Sequence, residues 1–139
     1  MHPDHIRARC REELRARRMR FTSARLSIMD TLGASTGHLS AAEIHHRIST
    51  AGGHLNLSTV YRTLDRLTES GLVHRLPGQA QVTYGLAVEP HHHAVCNRCG
   101  TIQEIPAPAL ADALRATAKA IAFRPESVVV TGLCPACQA

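Results

Sequence analysis

Four of the five cysteines in this 139-residue chain stand as two Cys-x-x-Cys pairs, Cys96-Asn97-Arg98-Cys99 and Cys134-Pro135-Ala136-Cys137, with 34 residues between them. Each pair forms a knuckle that offers two thiolates on one side, and two knuckles supply the four tetrahedral ligands of a structural zinc ion. The separation exceeds that of a compact zinc ribbon. It has room for a strand, a helix and a strand: residues 101–105 (TIQEI), 108–122 (PALADALRATAKAIA) and 127–132 (SVVVTG). Zinc then fastens Cys134 and Cys137 to the start of a small αβ unit. The rival use of such pairs, redox exchange, lacks a thioredoxin-like context here. A metal staple suits the composition. Aromatic residues make up 3% of the chain and Trp is absent, so the core must come from Leu, Ile, Val and Ala. Domains below about 70–80 residues with such cores commonly need a staple.

Charge divides the chain. Residues 1–85 hold 12 arginines against seven acids, a net +5, whereas residues 86–139 hold four bases against four acids. All excess positive charge lies in the first half, which points to a polyanion partner for that half. The asymmetry also predicts two functional halves meeting near 85–90. No apolar run approaches the ~20 residues of a membrane-spanning helix, and MHPDHIRARC lacks the apolar region of a secretory signal. The expectation is a soluble, cytoplasmic protein, where cysteines serve as metal ligands or free thiols. Cys10 is left over, in an Arg-rich stretch whose positive charge would favour a lowered pKa, but the expected reading is an ordinary free thiol.

In the basic half, residues 5–19 (HIRARCREELRARRM) predict a mostly exposed helix. A second helix runs from Ser23, read as its N-cap, to Leu32, burying Leu26, Ile28, Met29 and Leu32. GASTGH (33–38) reads as a loop. Ser40 and Glu43 form a capping box for a third helix with Ala42, Ile44 and Ile48 inward, ended by Gly52-Gly53. The fourth helix, within residues 56–73 (NLSTVYRTLDRLTESGLV), carries Val60, Leu64 and Leu67 at i, i+4, i+7. Off that stripe, near its start, stand Ser58, Thr59, Tyr61 and Arg62. Hydroxyls, an aromatic ring and a guanidinium at the leading end of a helix suit phosphates and base edges in a major groove. VHRL (73–76) and QVTYGL (81–86) around Pro77-Gly78 predict a hairpin. Three helices, the last with the polar face, then a hairpin: this is a winged helix-turn-helix pattern.

Between the halves lies EPHHHAVCNRC (89–99), which read alone fits one metal site, two, or none. Two other function classes compete for these residues. CPAC at 134–137 echoes half of a zinc deaminase motif, but that chemistry also needs His-x-Glu, and no His here has Glu two residues on. A metal buffer would use the His and Cys residues without any need for the arginine-rich half. An enzyme is not expected.

STVYRTL (58–64), RFTSAR (20–25), GLV (71–73), HHHAVCNRCG (91–100) and GLCPAC (132–137) together resemble the ferric uptake regulator family of metal-dependent bacterial repressors, over nearly the whole chain. The resemblance implies an α+β protein. A winged-helix DNA-binding domain spans 1–86, a hinge 87–91, and a small αβ dimerisation and metal-binding domain with a four-cysteine zinc site 92–139. It implies a homodimer on AT-rich palindromic double-stranded DNA, with Tyr61 and Arg62 in the major groove and Arg20 at the minor groove or backbone. It implies one regulatory divalent metal, Zn(II), Fe(II), Mn(II) or Ni(II), besides the structural zinc. Its ligands would be His38, His91, His93 and Glu104, with Glu89 as a further candidate carboxylate. On an extended segment His91 and His93 face one way and His92 the other. The run 89–99 would thus serve a regulatory and a structural site. His45, His46, His54 and His74 read as surface residues or phosphate contacts. Two departures stand out: Tyr84-Gly85, where relatives often place an Asp, Glu or Cys ligand, and Glu126, where many have a His. These leave a peroxide-responsive regulator or a metal-independent DNA binder as alternatives within the family.

Overall fold

Capping side chains set where the helices of the basic half begin. In the computed structural model, which describes residues 3–35, 38–77, 81–88, 91–125 and 127–139, two compact units are formed, Met1–Val88 and Glu89–Ala139. The first contains α1 (Pro3–Ala16), α2 (Ser23–Ala34), α3 (Ala41–Thr50), α4 (Leu57–Glu69), β1 (Val73–Pro77) and β2 (Val82–Leu86). Asn56 caps α4, its side chain accepting from the Thr59 N–H at 2.8 Å. Ser40 and Glu43 complete the capping box of α3, satisfying two otherwise orphaned N–H groups. α2 is capped by Thr22, whose Oγ1 accepts from the Arg25 N–H at 3.2 Å. Ser23 is instead the first helical residue, and the cap expected there is corrected by one position. α2 also extends through Gly33 and Ala34, two residues into the expected loop.

The core of this unit is aliphatic. Leu14, Ile28, Met29, Ile44, Val60, Leu64, Leu67 and Leu72 are fully buried, each contributing about 1.5–3 kcal/mol of burial. The α4 stripe of Val60, Leu64 and Leu67 lies inward as its spacing requires. One expectation, in α3, is corrected. α1 is mostly exposed as expected, and it buries one narrow stripe at four-residue spacing, Cys10 and Leu14 with Ile6 packed beside them. α1 and α2 come so close that a Cβ at Gly33 would stand 2.8 Å from Ile6 Cγ2. In α3 the inward alanine is Ala41, in phase with Ile44 and Ile48, while Ala42 points outward. Gly71, at φ +79°, turns the chain out of α4 into β1, a conformation open to glycine. β1 and β2 pair antiparallel with Val73 opposite Leu86 and His74 opposite Gly85.

The second unit contains β3 (His91–Cys96), β4 (Ile102–Pro106), α5 (Ala107–Ile121) and β5 (Val129–Gly132). Its sheet runs in the order β4-β3-β5, antiparallel between β3 and β4 and parallel between β3 and β5. The parallel pairing requires a crossover, which α5 supplies. Among the described residues of this unit only His92, His93 and Cys96 are buried, and none of α5 is. Ile121, Phe123, Val129, Val130 and Leu133 remain 43–66% exposed. A unit this small with that much bare apolar surface lacks a self-sufficient core. Among the described residues, no helix is long and apolar enough to cross a membrane.

Candidate functional site

The chain reverses direction at the end of β3 and brings the first cysteine pair against the second. Gly100, at φ +76°, closes the first knuckle, its N–H donating to the Cys96 carbonyl at 3.0 Å. A short 3-10 turn over Pro135–Cys137 forms the second. Arg98 Nη1 donates to the Cys137 carbonyl at 2.7 Å and ties one knuckle to the other. The Sγ atoms of Cys96, Cys99, Cys134 and Cys137 all lie within 4.8 Å of one another, and Cys99 and Cys134 are 3.7 Å apart. A tetrahedron with Zn–S bonds of about 2.3 Å has an edge of about 3.8 Å, so the four thiols fit zinc with small shifts.

The surroundings already favour thiolates. The N–H groups of Cys134 and Cys99 donate to Cys96 Sγ at 3.4 and 3.5 Å and bring its thiol down to about 5. Thr101 Oγ1 lies 3.1 Å from Cys99 Sγ and, donating to the ionised sulfur, lowers that thiol too. Cys137 shares the sulfur of Cys134 and the crowding of the other thiols, which push it up to about 12. A divalent cation offsets these opposed shifts by taking all four as thiolates.

On β3, His91 and His93 share a face, with ring centroids 4.7 Å apart in an edge-to-face arrangement. Glu104 lies opposite His93 in the β3–β4 register, hence on the same face, with Oε1 3.6 Å from His91 Nε2. Two imidazoles and a carboxylate on one surface make a three-donor set of the kind borderline divalent metals take. His92 points elsewhere: its Nδ1 accepts from the Val128 N–H at 3.2 Å and helps hold β5. Glu89 and Glu126 lie outside the described residues.

In the winged-helix unit, His38 stands just before Leu39, which forms an isolated bridge to Tyr84 of β2 through bonds of 3.0 and 2.7 Å. That bridge delivers His38 beside the hairpin, where its Nε2 comes within 2.6 Å of His74 Nε2. His74 is therefore half-buried and paired, and its reading as a surface residue or phosphate contact is corrected. The signal was present in the hairpin register, which sets His74 opposite Gly85, but only the Leu39 bridge puts His38 at the same place. His46 and His54 are exposed as expected.

The outer face of α4 carries the expected polar set. Tyr61 is 47% exposed and Arg62 is exposed beside it. Ser58 and Thr59 are partly committed to the cap: the Ser58 hydroxyl donates to Asn56 Oδ1 at 2.7 Å, and Thr59 gives the same oxygen its N–H. The cap thus engages the Ser58 hydroxyl but only the backbone N–H of Thr59, so the Thr59 hydroxyl stands with Tyr61 and Arg62 among the donors that this turn offers. Arg20 is exposed, next to Phe21, over whose ring the Arg11 and Arg15 guanidinium groups lie at 5.9 and 5.6 Å. Cys10 is a free, buried cysteine; burial first, then the nearby Asp30 and Glu13 carboxylates, push its thiol up to about 11, so it is not a thiol activated by the arginines of α1.

The model of the ferric uptake regulator family matches residues 16–131. The ferric uptake regulation protein of Legionella pneumophila is 29% identical over 132 residues, covering 91% of this chain and 97% of that protein. The peroxide operon regulator of Bacillus subtilis (strain 168) is 29% identical over 129 residues, covering 91% and 89%. The solved structure of a zinc uptake regulator complexed with zinc and DNA aligns with a TM-score of 0.69 at 25% identity, over 99% of this chain and 96% of that one. These relatives sense different signals, so likeness alone does not choose among them. What they share with this chain is a match that runs unbroken from the end of α1 into β5, through the polar face of α4 and the whole histidine run, and on that ground the chain belongs to the ferric uptake regulator family.

Proposed function

We propose that the chain is a metal-responsive transcriptional repressor, cytoplasmic and homodimeric, that binds an AT-rich palindromic operator when its regulatory metal is bound. Cys96, Cys99, Cys134 and Cys137 hold a structural zinc. The bare apolar surface of α5 and β5 supports a partner subunit there. Tyr61 and Arg62 enter the major groove, and Ser58, Thr59 and Arg20 position the helix on the backbone.

The observation that carries the metal-responsive part is the three-donor face of His91, His93 and Glu104. Three protein donors leave a tetrahedral ion at least one position short. His38, from the winged-helix unit, supplies a further ligand in this reading, with Glu89 as an additional carboxylate. A metal that takes ligands from both units has different affinity for different arrangements of them, and that difference is the free energy available to favour the DNA-binding one.

Fluorescence anisotropy on DNA from the gene's upstream region tests this. Protein holding only its structural zinc is titrated with and without Zn(II), Fe(II), Mn(II) or Ni(II) under metal buffering. One metal should raise DNA affinity tenfold or more, about 1.4 kcal/mol of coupling. Affinity should also fall steeply with salt, because arginine–phosphate contacts release counterions. Equal binding with and without every metal would overturn the switch and leave a metal-independent DNA binder.

A further inference from the structure

Gly85 sits at a point where an added side chain would run into two imidazole rings as they stand. A Cβ built there would lie 2.4 Å from His38 Nε2, 2.7 Å from His38 Cδ2 and 2.9 Å from His74 Nε2. Real Cβ atoms do not approach other heavy atoms so closely, so one added carbon must part the two rings. Two backbone features fix this geometry. His74 is held opposite Gly85 by the β1–β2 register. The Leu39–Tyr84 bridge holds the residue after His38 against the residue before Gly85. Gly85 itself is buried, so the rings meet in a partly dehydrated place. They meet with centroids 4.8 Å apart and planes tilted by 33°.

We propose that His38 and His74, converging over Gly85, form a two-imidazole site for a borderline divalent cation, which makes His74 a ligand of the regulatory metal. The inference rests on the metal-responsive reading above and adds a residue to it. Before metal arrives, the 2.6 Å approach is a hydrogen bond in which one neutral ring donates from Nε2 and the other accepts. For both Nε2 lone pairs to face one ion, the donating ring shifts its proton to Nδ1. With metal–nitrogen bonds of about 2.0–2.1 Å at a tetrahedral angle, the two nitrogens stand about 3.3 Å apart. The rings then part by about 0.7 Å, a rotation of side chains with the backbone in place. Neutral imidazoles suit Zn(II), Ni(II), Co(II) and Cu(II), whereas Mg(II) and Ca(II) prefer oxygen. Gly85 acts here as a positioning residue. It touches no metal, and its missing side chain is what lets two donors share one point.

The test uses the full chain with its structural zinc in place, titrated with Co(II) and followed by calorimetry and by the visible d–d absorption of the bound ion. His74→Ala should weaken Co(II) binding by about tenfold or more and change the absorption bands. His74→Gln keeps a hydrogen-bonding group but not an imidazole, and it should not restore either. Gly85→Ala alters no donor yet should weaken Co(II) as well, while His54→Ala, an exposed control, should change nothing. If His74→Ala leaves affinity and bands as they were, or if His74→Gln restores both, His74 is not a ligand and the inference fails alone. If the unaltered chain takes up no Co(II) beyond its zinc, the inference and the metal-responsive reading fail together.

Discussion

Removing the structural zinc should unfold the second unit and spare the first. The second unit spans Glu89–Ala139, and its described residues bury only His92, His93 and Cys96, with every residue of α5 at least partly open to solvent. A unit of that size rarely holds more than about 3–5 kcal/mol from its core, and this one has almost no aliphatic core. Zinc in a structural four-thiolate site contributes about 10–16 kcal/mol at neutral pH. The metal term exceeds what the core of a single subunit supplies, so within one subunit folding and zinc binding are coupled, and the partner interface is the other stabilising term. The first unit contains no residue of the four-cysteine cluster and keeps a core of fully buried aliphatics. Hydrogen exchange before and after chelation resolves the two. The amides of His93, Cys96 and Asn97, which donate to Val128, Thr101 and Gly132, should lose protection by several orders of magnitude. Those of Leu39, Tyr84 and Leu72, which donate to Tyr84, Leu39 and Leu67, should keep theirs. Cys137→Ser should reproduce the pattern without a chelator. Unchanged protection in β3 after complete loss of zinc would refute the argument, because some stabilising interaction other than the metal would then be holding the sheet.

Arg62→Ala should weaken binding to all DNA sequences to a similar degree and lower the dependence of log affinity on log salt by about one, with no change in thermal stability, as measured by anisotropy over a salt series. Cys10 gives a pH dependence. Its thiol rises from an ordinary 9.0 to about 11 in the fold, so below 9 both states carry the proton and stability is unaffected. Between about 9 and 11 the unfolded chain releases a proton that the folded chain keeps, and stability falls as pH rises. Urea midpoints over that window should fall less steeply for Cys10→Ala than for the unaltered chain.

Much of this fold is legible wherever a local signal is also the deciding one. The Ser40–Glu43 capping box, the Val60–Leu64–Leu67 stripe and the two-strand reading of 73–86 each depend on residues within one element, and each holds in the structure. Errors arise where neighbours compete for the same role. Thr22 and Ser23 are both good caps, and only the backbone, extended at Thr22 with ψ 152°, decides between them. Ala41 and Ala42 are both small and apolar, and the phase of Ile44 and Ile48 selects the first. α1 is mostly exposed, as its arginines predict, yet Ile6, Cys10 and Leu14 form one narrow stripe that its composition hides. Burial of that stripe is the largest influence on the Cys10 thiol, with Asp30 and Glu13 adding to the rise.

His74 shows where reading by position has to stop. It is one of ten histidines, in a hairpin, with no liganding residue near it along the chain. Its partner His38 is 36 residues away and arrives through a backbone bridge that involves neither ring. The informative position is the one with no side chain at all. Judged as a donor, Gly85 reads as a loss, because a glycine offers a metal nothing. Judged as a volume, it lets both imidazoles stand where they are, since even a methyl group would lie within 3 Å of each ring. The bare position at Gly85 and the histidine across the strand from it are therefore linked in the physics of this hairpin. Introducing a carboxylate by Gly85→Glu should consequently cost the chain metal affinity, because the new donor enters by displacing two that are already there.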